Sequence, residues 1–346
     1  MEKLENAIAE IKRVLPGMKL LENEPMSAHS SMRVGGPIRA LASPGDVTSV
    51  SRICCILKEH ELAPLTLGNC TNIVFPDEGM GEVFAMSMEK LTKLFLLPDG
   101  AIYAECGVPL SRLAAFAQQN GLAGLEFASG IPGTVGGGIM MNAGAYGGEL
   151  KDVTESVVTY YLPEQRLYEL TNEQCAFAYR ESLFKKLPGN VILSAVFRLE
   201  KGDPEEIAAR MRELNERRRE KQPLDMPSAG SAFKRPEGHY AAALIEQAGL
   251  KGYAVGGAQV SAKHAGFIVN TGAATAADVH ELMMQVRRRV YEAAQIVLEP
   301  EIILLPPDYK LEDRGPQVPR NKFAEAGFTS AVAEADGAVN AAMEEN

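Results

Sequence analysis

Three residues of this chain have the types and surroundings that acid–base and anion chemistry needs: Arg180, Ser231 and Glu301. Arg180 stands in Ala178-Tyr179-Arg180-Glu181-Ser182, where a guanidinium in a mostly apolar stretch can clamp a carboxylate through two parallel N–H bonds. Ser231 follows Gly230 in a loop held between Pro227 and Pro236, and a hydroxyl fixed there can deliver a proton. Glu301 opens the apolar run Ile302-Ile303-Leu304, and loss of water raises a carboxyl toward pKa values useful in acid–base work. Each residue also has a plainer reading. Arg180 can form a salt bridge to Glu181 or a neighbour, Ser231 can be a turn serine, and Glu301 an exposed glutamate at a strand start.

Two further segments suit anion binding. The first is Gly130-Ile131-Pro132-Gly133-Thr134-Val135-Gly136-Gly137-Gly138, continuing through Asn142, Gly144, Ala145 and Gly148. Ten of the chain's 32 glycines fall within residues 121–150. Glycine admits positive φ and lets a ligand approach the backbone, and successive exposed N–H groups form an anion cradle. The second is Gly68-Asn69-Cys70-Thr71-Asn72, after the short apolar run Leu65-Thr66-Leu67. Tight turns are the alternative for both. Neither segment has the G-x-G-x-x-G or the G-x-x-x-x-G-K-[ST] spacing of the common nucleotide motifs.

The elements that must position these residues are legible as hydrophobic periods. Helices are expected over 3–15, 46–60 (capped by Asp46), 109–120 (opening on Pro109), 204–220 and 275–293 (opening on Thr275-x-x-Asp278). Strands are expected over 82–87, 101–105, 153–161 and 191–199. Helices and strands are interspersed without strict alternation, which predicts an α+β chain. The composition is that of a folded protein, 46% hydrophobic and 23% charged over 346 residues. A formal net charge of −10 argues against nucleic-acid binding. The N-terminus lacks a signal-peptide pattern and no apolar run suits a membrane span. Five scattered cysteines form neither a disulfide framework nor a zinc motif. A soluble cytoplasmic protein without a bound metal is expected.

Taken in order, the motifs resemble the UDP-N-acetylenolpyruvoylglucosamine reductase family, over about Glu24 to Leu305. They begin with Ser31-Met32-Arg33-Val34-Gly35-Gly36-Pro37 and the 69–72 and 130–148 segments. They continue through Tyr179-Arg180-x-Ser182, Lys221-Gln222-Pro223, Gly230-Ser231-x-Phe233-Lys234, the 256–267 run and Leu298-Glu299-Pro300-Glu301. The resemblance implies a two-part FAD-binding fold of the vanillyl-alcohol-oxidase (PCMH) type plus a C-terminal α+β substrate domain. The implied divisions are 1–65, 66–203 and 204–305, with an acidic flexible tail over 306–346. It also implies non-covalent FAD, NADPH as reductant, and UDP-N-acetylglucosamine enolpyruvate as substrate. The reaction it implies passes hydride from reduced flavin N5 to the vinyl carbon and yields UDP-N-acetylmuramate, a peptidoglycan precursor. A monomer or weak oligomer is expected.

Carried over residue by residue, the resemblance makes Ser231 the proton donor, with Arg180 and Glu301 beside the substrate carboxylate. Flavin contacts fall on Arg33, Gly35, Gly36, Gly68–Asn72, Gly130–Thr134, Gly136, Gly137, Asn142, Gly144 and Ala145. Substrate contacts fall on Tyr179, Arg217, Lys221 and Lys263. The chain departs from the commonest family pattern in three places. Cys70 stands where glycine is usual, Thr71 where serine is usual, and the four residues between Lys186 and Val191 leave no room for a tyrosine capping loop. A thiol at Cys70 either crowds the phosphates or points away. Two other readings compete: an oxidase with flavin attached through His29, and a flavin- or nucleotide-sugar-binding module without catalysis.

Overall fold

The computed structural model describes residues 2–307, so the tail expected over 306–346 lies outside the described residues from position 308 on. The chain opens on helix α1 (Glu2–Val14), whose Leu4, Ile8 and Ile11 are buried. Helix α2 (Val47–Glu59) starts where Asp46 accepts the Ser49 N–H at 2.7 Å, and buries Val50, Ile53, Cys54 and Leu57. Both helices cover one face of a four-stranded sheet ordered Lys19–Pro25, Pro37–Ser43, Met80–Ser87, Leu65–Leu67. Side chains alternate across this sheet, apart from a register shift between Ile38 and Ala40 that puts both Ile38 and Leu41 on the same face. Ala40, Ala42, Phe84 and Met86 meet the helices, while Ile38, Leu41, Leu65 and Leu67 face a second cluster around Phe75. The last two pairings of the sheet are parallel, and α2 makes the crossover that parallel strands require. The sheet runs through Ser87, so the expected division at 65/66 falls inside one of its strands.

A second, antiparallel sheet of five strands follows, ordered Arg166–Thr171, Thr154–Tyr161, Asn190–Phe197, Ile102–Glu105, Leu94–Leu96. Helix α3 (Leu110–Gln119) follows in the chain and buries Leu110, Leu113, Ala114 and Ala117. Pro109 is the extended residue before the helix, at φ −60° and ψ 137°, rather than its first turn. The glycine-rich segment contains helix α4 (Val135–Met141), which the glycine count had hidden, and the short helix α5 (Leu183–Lys186) follows Arg180. Helix α6 (Pro204–Lys221) is capped by Asp203 and carries the chain out of this lobe.

The third part is an antiparallel sheet ordered Ser228–Ser231, Phe267–Asn270, Ala258–Val260, Ala254–Val255. It is backed by α7 (Ala241–Gln247) and α8 (Ala276–Ala294). Val279, Leu282, Met283, Val286 and Val290 bury the inner face of α8, as the period predicts. The expected capping box is present: Thr275 Oγ1 accepts the Asp278 N–H and Asp278 Oδ2 accepts the Thr275 N–H, each at 3.0 Å.

The third part is tied to the first lobe across long sequence separations. Ile303–Leu304 pairs in parallel with Ile73–Val74. The Ser31 hydroxyl donates to Ser228 O at 2.7 Å, and Asn270 Nδ2 donates to Met32 O at 3.0 Å. The Asp77 carboxylate accepts the Ala276 and Ala277 N–H groups at 2.7 and 2.9 Å, so a loop of the first lobe satisfies orphan donors at the start of α8. Replacing Asp77 by alanine removes both bonds and the favourable charge; a loss of roughly 1–2 kcal/mol is expected, read as a lower urea midpoint at unchanged slope.

Candidate active site

A cleft of about 850 Å³ opens where the three parts meet. The Gly68–Asn72 loop leaves the parallel sheet, and Gly68 lies so close to the next wall that a Cβ would come within 2.5 Å of Thr134 Oγ1. This contact sets the 68–72 and 130–134 loops side by side. Thr134 caps α4 through the Gly137 N–H at 3.4 Å, so the start of this helix also faces the cleft. Among the described residues, the N–H groups of Asn69, Cys70, Thr71, Asn72, Gly133 and Thr134 find no protein acceptor. Six free donors along one cleft wall form a surface suited to an anionic acceptor such as a diphosphate. At Gly133 an added Cβ would meet nothing nearer than 3.8 Å, so bare backbone is presented to open space.

Not all of the glycine surplus serves the cleft. A Cβ at Gly136 would come within 2.9 Å of the Cys106 Cβ, and one at Gly138 within 2.6 Å of the Leu150 side chain. These two glycines let α4 pack closely, although both also line the cleft.

The three chemically suited residues come together here. Arg180 Nε donates to Glu301 Oε1 at 2.6 Å, and its Nη2 donates to Gly144 O at 3.0 Å. Both side chains of the pair are largely buried, at 17% and 15% exposure. Arg180 is thus salt-bridged to a residue 121 positions away, while Glu181 pairs with Lys186 at 2.6 Å. Glu301 is therefore a paired carboxylate, not a lone one in apolar surroundings. Its main chain is fixed on both sides, by Glu301 N–H to Ala232 O at 2.9 Å and Asn72 Nδ2 to Glu301 O at 3.1 Å. Ser231 ends a short strand beside Phe267 and is exposed to the cleft. Among the described residues its hydroxyl makes no hydrogen bond, so it is free to serve a ligand.

Gly68–Asn72, Ile131–Thr134, Gly136, Gly137, Gly144, Ala145, Arg180, Lys221, Ser231 and Glu301 all line the cleft. Eight of the expected residues do not. Arg33 is exposed, and Gly35 and Gly36 pack on the 75–79 turn, where a Cβ on Gly36 would lie 2.2 Å from Asp77 O. Gly130 packs on Asn215 and Arg218 of α6. Asn142 is buried and acts as a brace: it donates to Glu149 Oε2 and Ala178 O and accepts from the Lys151 N–H. It thereby holds the approach to Arg180. Tyr179 lines an adjacent cavity and its hydroxyl accepts the Arg235 N–H at 3.2 Å. Lys263 donates to Arg219 O at 2.6 Å, at the C-terminal end of α6. Arg217 is turned away, paired with Glu213 on the exposed side of α6.

The cleft face of α6 presents Arg218 and Lys221 instead. The sequence holds the signal for this. Ile207, Met211 and Leu214 set an inward stripe whose next turns are positions 218 and 221, not 217. Burial pulls the Arg218 guanidinium below its ordinary pKa range. Lys185 and Gln222 also line the cleft without having been singled out. His29 bonds Glu24 Oε1 at 2.8 Å and does not line the cleft, which removes the motive for covalent attachment there.

A cleft walled by free N–H groups and closed by a buried ion pair is suited to an anionic ligand, and comparison with known proteins names the class of the chain. Residues 38–162 match the family described as FAD binding domain, which makes the chain a flavoprotein. Residues 222–305 match the UDP-N-acetylenolpyruvoylglucosamine reductase C-terminal domain. A protein of that name from Caldanaerobacter subterraneus subsp. tengcongensis is 46% identical, covering 85% of this chain and 96% of its own length. One from Limosilactobacillus reuteri is 43% identical, covering 86% and 99%. The crystal structure of the Thermus caldophilus enzyme superposes with a TM-score of 0.71 at 33% identity, covering 84% of this chain and 99% of that one. The chain belongs to the UDP-N-acetylenolpyruvoylglucosamine reductase family, and the expected class, a two-part FAD-binding fold with a C-terminal α+β domain, is the one found.

Cys70 takes the left-handed conformation (φ +48°) that explains why glycine is usual at this place. Its Sγ lies 3.5 Å from Gly68 O and the residue is buried against the cluster around Phe75. Burial pushes the thiol up to about 12, so it is neutral and unreactive at ordinary pH. In native protein treated with iodoacetamide at pH 8, Cys70 should remain unmodified by peptide mass spectrometry and react only after unfolding.

Proposed function

We propose that this chain reduces UDP-N-acetylglucosamine enolpyruvate to UDP-N-acetylmuramate in the cytoplasm, with non-covalently held FAD and NADPH as reductant. The observation that carries this reading is the meeting of Arg180, Glu301 and Ser231 in the cleft whose other wall holds the free N–H groups. The loops at 68–72 and 131–137 would hold the FAD diphosphate through backbone donors. When bound, FAD supplies the hydride, received from NADPH and passed to the vinyl carbon of the enol ether.

The residues of the chain do the rest. Arg180, held by its Glu301 partner, orients the substrate carboxylate as hydride arrives. Glu301 fixes the guanidinium so that no reorganisation is needed at that moment. Ser231 Oγ gives its proton to the carbon next to the carboxylate. That carbon is strongly basic in the enolate-like state, so position within hydrogen-bond reach matters more than a shifted serine pKa. Gly230, at φ +80°, turns the chain so that Ser231 meets the cleft. On α6, Arg218 and Lys221 face the cleft and suit the nucleotide diphosphate.

The Ser231→Ala variant separates the two half-reactions. Bleaching of the flavin by NADPH should survive, while reoxidation by the enolpyruvyl substrate should slow by roughly 10²- to 10⁴-fold, the usual worth of a positioned acid. Equal loss in both halves would contradict the proton-donor role.

A further inference from the structure

The Arg180–Glu301 pair raises a difficulty of charge. A guanidinium bonded to a carboxylate at 2.6 Å is close to neutral as a unit, yet the proposed substrate brings a carboxylate to it and gathers more negative charge as it reacts. A site for such an anion needs a cation that no protein carboxylate has already matched. The cations of this corner can be followed one by one. Lys186 pairs with Glu181 at 2.6 Å. Lys234 pairs with Glu299 at 3.3 Å and reaches Glu181 at 4.0 Å. Lys185 lines the cleft, and among the described residues no carboxylate lies within ion-pair distance of its ammonium.

Lys185 is also mechanically joined to the pair. Its Nζ donates to the Arg180 carbonyl at 3.3 Å. Arg180 is in the left-handed region at φ +57°, a conformation that non-glycine residues hold only when their surroundings impose it. The bond from α5 back to this carbonyl is one such restraint. A second is the Ala178–Glu181 turn, closed by Ala178 N–H to Glu181 O at 3.0 Å and Glu181 N–H to Ala178 O at 3.1 Å. Burial, and after it the nearby Lys234, hold the ammonium below the ordinary lysine range; Glu181 and Glu301 oppose the shift and Lys186 adds to it. A half-buried cation kept without a counter-ion is costly unless an anionic ligand repays it.

We infer that Lys185 is a specificity-determining and positioning residue: it supplies the unmatched positive charge that makes this end of the cleft select a carboxylate-bearing enol ether, and it holds the Arg180 backbone in place for that carboxylate. The inference rests on the function proposed above and names which part of the substrate this residue reads.

The test uses holoenzyme carrying oxidised FAD, with ligand binding followed by perturbation of the flavin absorbance. Two probes are titrated, the enolpyruvyl substrate and its primary amide, which keeps the shape and loses the charge. Wild-type protein should favour the acid. In Lys185→Met, the flavin-bound spectrum should persist while the acid weakens by roughly tenfold or more, the worth of one charged hydrogen-bonded contact, and the amide changes little. Lys185→Arg should restore most of the preference for the acid. Equal weakening of acid and amide in Lys185→Met would mean a merely structural role and overturn the inference, as would an unchanged preference. Wild-type holoenzyme that binds neither probe would overturn the function proposed above, and this inference with it.

Discussion

The Arg180–Glu301 ion pair is the constraint on which the rest of this site depends. Its two residues stand 121 positions apart: Arg180 in the turn before α5, Glu301 in the segment that returns to the first lobe. The bond can form only if the third part docks correctly. That docking is secured by the parallel pairing of Ile303–Leu304 with Ile73–Val74, by Asn72 reaching Glu301 O, and by Asp77 at the start of α8. A buried pair of this kind is weak evidence for stability, because desolvation offsets its attraction. Its value lies in geometry: a guanidinium that cannot wander presents a fixed face to a ligand.

Electrostatics elsewhere in the cleft follow the same economy. A chain with a net charge of −10 cannot draw anionic cofactors by its overall field. It presents local donors instead. The N–H groups of the 69–72 and 133–134 segments line one wall, and Arg218 and Lys221 line another. These donors need close approach of two loops, and Gly68 permits it by leaving room for Thr134. The left-handed Cys70 shows that the loop conformation, not the absence of a side chain, is what this position must supply.

The long helices and three of the five strands of the middle sheet were legible in the sequence, the helices because each buries one face with a regular period, as in α2 and α8; the edge strands Arg166–Thr171 and Leu94–Leu96 were not. The family was legible because several motifs stand in one order. What escaped detection has a physical cause in each case. Helix α4 was hidden because its glycines are there to pack against Cys106 and Leu150, which is a tertiary requirement that glycine's poor helix propensity masks. The resemblance placed a substrate contact on Arg217, but a motif carried over by position says nothing of helix phase; the inward stripe of Ile207, Met211 and Leu214 puts Arg218 on the cleft side instead. Gly35, Gly36 and Asn142 belong to recognisable motifs, yet they support the site from behind rather than line it. A motif marks what a site requires without separating contact from support.

The central claim is that Arg180 and Glu301 act as one unit on the substrate carboxylate. The most direct measurement is a double-mutant cycle of Arg180→Gln and Glu301→Gln, read in the rate at which the enolpyruvyl substrate reoxidises the reduced flavin. Both single variants should fall nearly as far as the double, with a coupling energy above about 1.5 kcal/mol. Losses that add within about 0.5 kcal/mol would show two independent residues and contradict the account.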